Sequence, residues 1–479
     1  MPKAYKEEFI NQIKTAYSMP PKWYWSIDPG NVPKILVEPP GPKAQEVIKM
    51  DESLIMQSFG RWYPLVIQRG YGPVVEDVDG NLYIDFNAGI AVMNVGHSHP
   101  RIIEAIRKQA EFFTHYSMTD FYYELIVKHA SMLKGITPIS GDKRVFYTNS
   151  GTESIEGSIK IVRGHFRNQR PYVIAFLGAF HGRTYGSMAL TASKPVQRLG
   201  FNPMMPNVVH IPYPYPYRCP FGRNLGEEEC GEAVLGYLED WIFNKMVDPS
   251  EISAIFFEPI QGEGGYVVPP RNFFPGLRKI TDKYGILLVD DEVQAGFGRT
   301  GKWFAIQHWG VEPDLIAMAK AIAAGLPLGA IVGRASIMDL PRGSHANTFG
   351  GNPVALAAGV EVINVILDED LMTNAQRVGE YIRRRFMEEM DHVELIGDVR
   401  GLGLMIGVEL VRNRKTKEYA TKELEQVLYE SFKRGVAVIS AGKSTIRIAP
   451  PLNIPMELAE KAVNIIIDVI KRVDRERVK

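Results

Sequence analysis

Five short apolar runs between residues 143 and 292 constrain the fold more than any other feature of this 479-residue chain. KRVFYT (143–148), PYVIAF (171–176), NVVHIP (207–212), SAIFFEP (253–259) and GILLVDDE (285–292) are separated by stretches of helical character. Strands apolar along their whole length must be covered on both faces, so the pattern predicts a largely parallel sheet with helices on either side. This α/β reading covers residues 100–375, taken as a large domain. Residues 1–99 are expected to form an arm and a segment packing with a small domain. The arm is the Pro-, Gly- and aromatic-rich stretch 20–42, read as extended, and VVEDVDGNLYIDF (74–86) reads as a hairpin around Asp79-Gly80. Residues 376–479 combine helical periodicity at 376–390 and 421–434 with strands near GLMIGVEL and TIRIAP, which predicts a smaller α+β domain.

Composition excludes several function classes. Lys plus Arg and Asp plus Glu each number 55, so no net basic field exists to hold nucleic acid. Hydrophobic residues make up 45%, ordinary for a soluble globular protein. Cys219 and Cys230 are too few for a disulfide framework and lack zinc-site spacing. One bridge closing a local loop stays open, and a reducing cytoplasm fits best. The opening MPKAYKEEFINQIKTAY has early acidic residues and no continuous apolar core, so no signal peptide is read there. The longest apolar run is broken by Lys320, Gly and Pro, which argues against a membrane span.

Lys320 is the only charged residue between Asp314 and Arg334. An ammonium in apolar surroundings loses hydration, its pKa falls, and the neutral amine becomes a nucleophile. Lys320 is therefore a candidate imine-forming lysine, although taken alone it also suits an amphipathic helix with one lysine reaching to water. Ligands of parallel sheets bind beyond the carboxyl ends of the strands. Glu258 closes one strand, and Asp290, Asp291 and Glu292 close another about 30 residues ahead of Lys320, one crossover unit away. An acid and a reactive lysine in one crevice suit pyridoxal 5'-phosphate, because an ionised Asp keeps the ring nitrogen protonated and the ring then stabilises a carbanion at Cα. TNSGTES (148–154) stands between a strand and a helix, so Ser150, Gly151 and Thr152 would meet a phosphate at a helix N-terminus; an ordinary Ser or Thr N-cap explains the same residues. GFGRTG (296–301) spells a dinucleotide fingerprint, but its strand is interrupted and KWFAIQHWG is a poor phosphate-binding helix.

Eight segments in order resemble the class III aminotransferases, the ω-aminotransferase branch of fold-type I pyridoxal-phosphate enzymes. They are DFNAGIAVMNVGHSHP, NSGTES, GAFHGRT, EPIQGEGG, LLVDDEVQAGFGRTG, PDLIAMAKAIAAGLPLGA, NTFGGNP and IRIAPPL, and the motifs stand closest to 4-aminobutyrate and ornithine aminotransferases. The resemblance implies a large domain with a mainly parallel seven-stranded sheet flanked by helices, plus a smaller α+β domain. It implies that Lys320 is the Schiff-base lysine and the base that moves the Cα proton, and that Asp291 pairs with the ring nitrogen. Val293 would pack on the ring, Gln294 reach its phenolic oxygen, and Ser150, Gly151 and Thr152 form the phosphate loop. Phe180 matches a stacking aromatic, with His181 beside it. Thr348 corresponds to a residue that reaches the phosphate of the neighbouring subunit, which implies a homodimer with shared active sites or a higher oligomer.

For substrates, Arg183 and Arg447 resemble a pair of carboxylate-binding arginines, and Glu263 resembles the acid that masks Arg447 while a monocarboxylate donor is bound. Bidentate recognition explains arginine rather than lysine at both positions. Glu258 joins them as a substrate-site candidate, and Ile90 matches a residue that narrows the pocket of 4-aminobutyrate enzymes. Thr119-Asp120 stand near a pocket position, where Asp120 would bind the spare ammonium of ornithine or lysine, or else cap the following helix. The expected reaction moves the amino group of an ω-amino acid or diamino acid to 2-oxoglutarate. The alternative is an amino-acid racemase on the same scaffold, which returns the proton to the opposite face of Cα. A non-catalytic protein that kept the fold is opposed by the intact Lys320 and Asp291. His97 and His99 in GHSHP have no carboxylate within sequence reach, so no metal site is read there.

Overall fold

The structure, a computed structural model, describes residues 29–477. The five apolar runs become strands β1 (Lys143–Thr148), β2 (Tyr172–Phe176), β3 (Val208–Ile211), β4 (Ile252–Phe257) and β5 (Leu287–Asp291), joined by β6 (Leu315–Met318) and β7 (Gly329–Arg334). They make one seven-stranded sheet in the order β1-β7-β6-β5-β4-β2-β3. The neighbours from β6 across to β3 pair in parallel, and β7 runs antiparallel to both β1 and β6. Every residue of β4 and β6 is buried, as two-sided coverage demands. Helix α1 (Gly151–His165) covers one face through Ile155, Ile159 and Val162, which pack with Ala254, Phe256, Val289 and Ala317. The alternate residues Ile255, Phe257, Leu288 and Ile316 enter the main core on the other face, where Phe257 meets Phe274 at 4.8 Å between ring centroids. Each such side chain contributes about 1.5–3 kcal/mol on burial, so the sheet is a stiff platform.

The run around Lys320 is not an amphipathic helix. Leu315–Met318 is extended, and Lys320 follows at φ 44°, a left-handed conformation that costs a residue with a side chain about 1 kcal/mol or more. The crossover from β5 to β6 also lacks an α-helix and carries only a 3-10 turn, Ala305–Trp309. GFGRTG accounts for this, because buried Arg299 donates to the carbonyls of Leu404 and Pro450 and to Asn94, tying the segment to the C-terminal part of the chain.

That C-terminal part holds strands Ile396–Leu402, Met405–Asn413, Ile439–Ala441 and Thr445–Ile448 in one antiparallel sheet, with Glu418–Tyr419 on its edge. Helices Leu371–Glu389, Thr421–Lys433 and Met456–Arg477 accompany it. The hairpin forms as Val74–Asp77 and Leu82–Asp85, and the second of these strands pairs in parallel with Val436–Ala437. The expected arm falls partly, and the opening segment wholly, outside the described residues. Its later part lies along the hairpin: Lys34 bridges Leu82, and the amides of Leu36 and Val37 donate to Asn81 Oδ1 at 2.7 and 2.9 Å. Helix Pro42–Leu54 then follows, with Asp79 accepting from the amides of Lys43 and Ala44.

Cys219 and Cys230 form a disulfide across 11 positions. The open alternative of a local bridge is the one found, and the case for a reducing compartment loses its support from the cysteines. His97 pairs with Asp85 at 2.7 Å and His99 with Glu369 at 2.9 Å. Among the described residues no helix is long and apolar enough to cross a membrane.

Candidate active site

A cavity of about 570 Å³ opens at the carboxyl ends of β1, β2, β4, β5 and β6. Its wall at β5 is set by strand alternation. Asp291 faces the cleft, and its Oδ2 lies 2.7 Å from His181 Nδ1 while Oδ1 accepts from the Val293 amide at 3.1 Å. Its neighbour Asp290 is fully buried with no partner on either oxygen, and burial, with Glu292 and Asp291 adding, pushes it well above the carboxylate range. Burial of His181 would depress its pKa, yet the hydrogen bond and charge of Asp291, with Glu258 behind, raise it overall. His181 thus holds the Asp291 carboxyl group in line.

Glu258, just beyond β4, accepts from the amides of Phe180 and Gly262, both at 3.0 Å. Burial brings its carboxyl up to about 7, with Asp291 adding and His181 opposing. Lys320, just beyond β6, lines the same cavity. Burial and then the Arg447 charge bring its amine down to about 8, against the pull of Glu263, Asp291 and Glu258. A substantial neutral fraction at pH 7 is what a nucleophilic amine requires.

Opposite them, Ser150 caps α1 by accepting from the Glu153 amide at 3.3 Å, which leaves a helix N-terminus facing the cleft beside Gly151 and Thr152. Gly151 cannot bear a side chain, since a Cβ would lie 2.8 Å from Val293 Cγ1. The Thr152 hydroxyl sits 2.6 Å from Ser187 and 2.8 Å from Thr184, whose own hydroxyl donates to Glu156 at 2.6 Å. Phe180, Gln294 and Arg183 also line it, with the exposed Arg183 guanidinium 5.4 Å from the Phe180 ring centroid.

Arg447 projects from Thr445–Ile448, is buried, and donates to Glu263 Oε1. Its Nε and Nη1 are buried without a partner, and the Tyr266 ring lies 5.5 Å away. Burial opposes ionisation of Glu263, but Arg447, then Lys194 and Lys320, bring it down to about 2.

Six of the expected residues do not line this cavity: Arg447 and Glu263 reach it through their charges on Lys320, and four others are exposed. Ile90 is 42% exposed, Thr119 donates to the Asn347 carbonyl at 2.8 Å, and Asp120 and Thr348 are exposed. Asp120 does not cap the next helix, which begins at Glu124 after Tyr123.

The aminotransferase class-III family pattern matches residues 56–470. The chain belongs to that family. Among relatives of this class-III aminotransferase, the alanine/serine racemase of Pyrococcus horikoshii is 43% identical over 92% of this chain and 93% of its own. The 4-aminobutyrate aminotransferase of Mycobacterium leprae is 40% identical, covering 91% and 98%. The leucine/methionine racemase of Thermococcus litoralis is 38% identical, covering 90% and 98%. Of the solved structures, the (S)-enantioselective omega-transaminase from Thermomicrobium roseum matches with a TM-score of 0.83 and 31% identity, covering 91% of this chain and 99% of that one. Class-III aminotransferases depend on pyridoxal 5'-phosphate, and this cleft suits it: a capped helix N-terminus for the phosphate, an aligned acid, a partly neutral amine, and buried polar atoms of His181 and Gln294 that lack a protein partner.

Three features escaped sequence reading. The His181–Asp291 bond spans 110 positions, so no local spacing announces it. The Thr184, Ser187 and Glu156 cluster was within reach, because Glu156 follows Thr152 by one helical turn. Lys194, 3.5 Å from Glu263, carries no motif at all.

Proposed function

We propose that the protein moves the amino group of an ω-amino acid or diamino acid, of the 4-aminobutyrate or ornithine type, to 2-oxoglutarate. The observation that carries this reading is the Arg447–Glu263 pair, a buried guanidinium with one acid on it and two nitrogens unpartnered. A monocarboxylate donor leaves that pair shut and uses Arg183, whereas a dicarboxylate occupies both arginines once Glu263 lets go. Bound pyridoxal phosphate supplies an aldehyde carbon for the amine and an electron-withdrawing ring for Cα. In this reading Lys320 anchors the cofactor and carries the proton to and from Cα. Asp291, aligned by His181, keeps negative charge at the ring nitrogen. Val293 and Phe180 pack against the ring, Gln294 meets its oxygen, and Ser150, Gly151 and Thr152 hold the phosphate.

A homodimer with shared sites, or a higher oligomer, accounts for the four exposed residues outside the cleft. Ile90, Thr119, Asp120 and Thr348 then complete the site of the neighbouring subunit. The exposed aromatics Phe112, Phe113, Phe121, Tyr122 and Phe349 lie in the same segments as three of them and support a covered surface there. Asp120→Ala should weaken ornithine far more than 4-aminobutyrate; equal losses would remove a role in binding a distal ammonium. A cytoplasmic location stays part of this reading, although the Cys219–Cys230 disulfide lends it no support.

A second reading, racemisation, is favoured by two of the relatives, at 43% and 38% identity. Testing 4-aminobutyrate, ornithine, lysine, alanine and leucine with and without 2-oxoglutarate separates the two. Amino transfer requires the keto acid and yields glutamate. Loss of chirality from a single enantiomer without keto acid, and no glutamate with it, would replace the transaminase reading by the racemase.

A further inference from the structure

Glu263 has two cations within reach. Its Oε1 accepts from Arg447, and its Oε2 lies 3.5 Å from Lys194 Nζ. Lys194 is firmly placed. Its amide and the Ser193 hydroxyl both donate to Oε1 of the buried Gln197, at 3.2 and 2.7 Å. The residue before Ser193, Ala192, pairs through its backbone with Gly178 and Ala179, and the Trp62 ring lies 5.9 Å from the ammonium.

Lys194 also lines a second cavity of about 600 Å³, together with Gln261, Gly264 and Gly442. The Gly442 amide donates to the Glu263 carbonyl at 2.8 Å, so the Glu263 backbone is held while its side chain stands between Arg447 and the residues of that cavity. Two-point capture of a carboxylate by Arg447 requires Glu263 to release it. A carboxylate pulled from its only cation in a partly buried place pays a heavy desolvation penalty. A second cation already in contact removes most of that penalty.

We propose that Lys194 is the resting partner of Glu263 in the dicarboxylate-bound state: Glu263 lets go of Arg447, remains paired with Lys194, and Arg447 takes the incoming carboxylate. Lys194 is a positioning residue that acts only through Glu263. This rests on the dicarboxylate-acceptor reading above.

The test is calorimetric binding of glutarate and of butyrate to holoenzyme loaded with pyridoxal phosphate, with thermal melts as a folding control. Wild type should hold glutarate more tightly than butyrate. Lys194→Met should weaken glutarate at least fivefold and butyrate less than twofold, with Lys194→Gln repeating the effect and Lys194→Arg restoring most of the loss. In a Glu263→Gln background, Lys194→Met should change glutarate binding less than twofold. Equal weakening of both ligands would show a structural role and overturn the proposal. A glutarate loss that persists beside Glu263→Gln would show direct contact and overturn it as well. If wild type has no preference for glutarate, the dicarboxylate reading falls and takes this proposal with it. An intact wild-type preference with an unchanged ratio in Lys194→Met sinks only the role of Lys194.

Discussion

Removing the charge of Glu263 should open Arg447 to a second carboxylate. Burial works against ionisation at this position, yet Arg447, with Lys194 and Lys320 behind it, lowers the carboxyl from 4.5 to about 2. At 1.36 kcal/mol per pH unit, the surroundings as a whole favour the ionised form by about 3 kcal/mol, and the Arg447 share of that preference is what an incoming carboxylate competes against. Glu263→Gln keeps the shape and one accepting oxygen but loses the ion pair, so glutarate should bind about tenfold to a hundredfold more tightly, the upper end matching the full 3 kcal/mol. The dissociation constant of glutarate on holoenzyme reads this directly, and the KM for 2-oxoglutarate should fall in parallel. The same variant should use 4-aminobutyrate less well, because an unmasked Arg447 draws the donor carboxylate away from Arg183. Unchanged or weaker glutarate binding would refute the idea that Glu263 masks Arg447.

Lys320→Ala should abolish amino transfer. In the wild-type chain the amine is brought to about 8 by burial and the Arg447 charge, so capture of pyridoxal phosphate by cofactor-free protein should slow about tenfold per pH unit below 8, followed by absorbance; a rate flat from pH 6 to 9 contradicts this. Asp290 has a folded-state pKa raised above its ordinary 3.8, chiefly by burial, so it binds its proton more tightly folded than unfolded. Its stabilising share is full below that value and is lost as pH rises, so the melting temperature of Asp290→Asn should gain on wild type between pH 5 and 8, and a constant difference would be evidence against it. Opening the Cys219–Cys230 bridge by Cys230→Ser frees a short loop and should lower stability to guanidinium by about 3 kcal/mol, whereas equal stability of oxidised and reduced protein would contradict that account.

The parts of the fold visible in the sequence are those set by near neighbours. KRVFYT is a strand over its full length because its residues supply both faces of a sheet, and α1 begins beside the Ser150 cap that marks it. Asp291 and Lys320 could be placed in one crevice because each ends or follows a buried strand. The missing helix between β5 and β6 was invisible, since what replaces it is the anchoring of Arg299 by Leu404, Pro450 and Asn94, all distant in sequence. Helix Pro42–Leu54 was hidden by the prolines around it, one of which occupies its first turn, where the ring does no harm. Glu263 and Arg447 could be paired only through family resemblance, being 184 positions apart.

The strand Leu82–Asp85 pairs with Val436–Ala437, and Asn87 bonds Ala437 across 350 positions. During synthesis at about 5–20 residues per second, the early hairpin waits about 20–70 s on the ribosome before its neighbour exists. Through that interval one flank of the hairpin offers bare amides and carbonyls to any passing strand. Nascent chains halted before residue 436 should therefore stick to one another and call on chaperones, while the parallel sheet between them has every one of its strands already made.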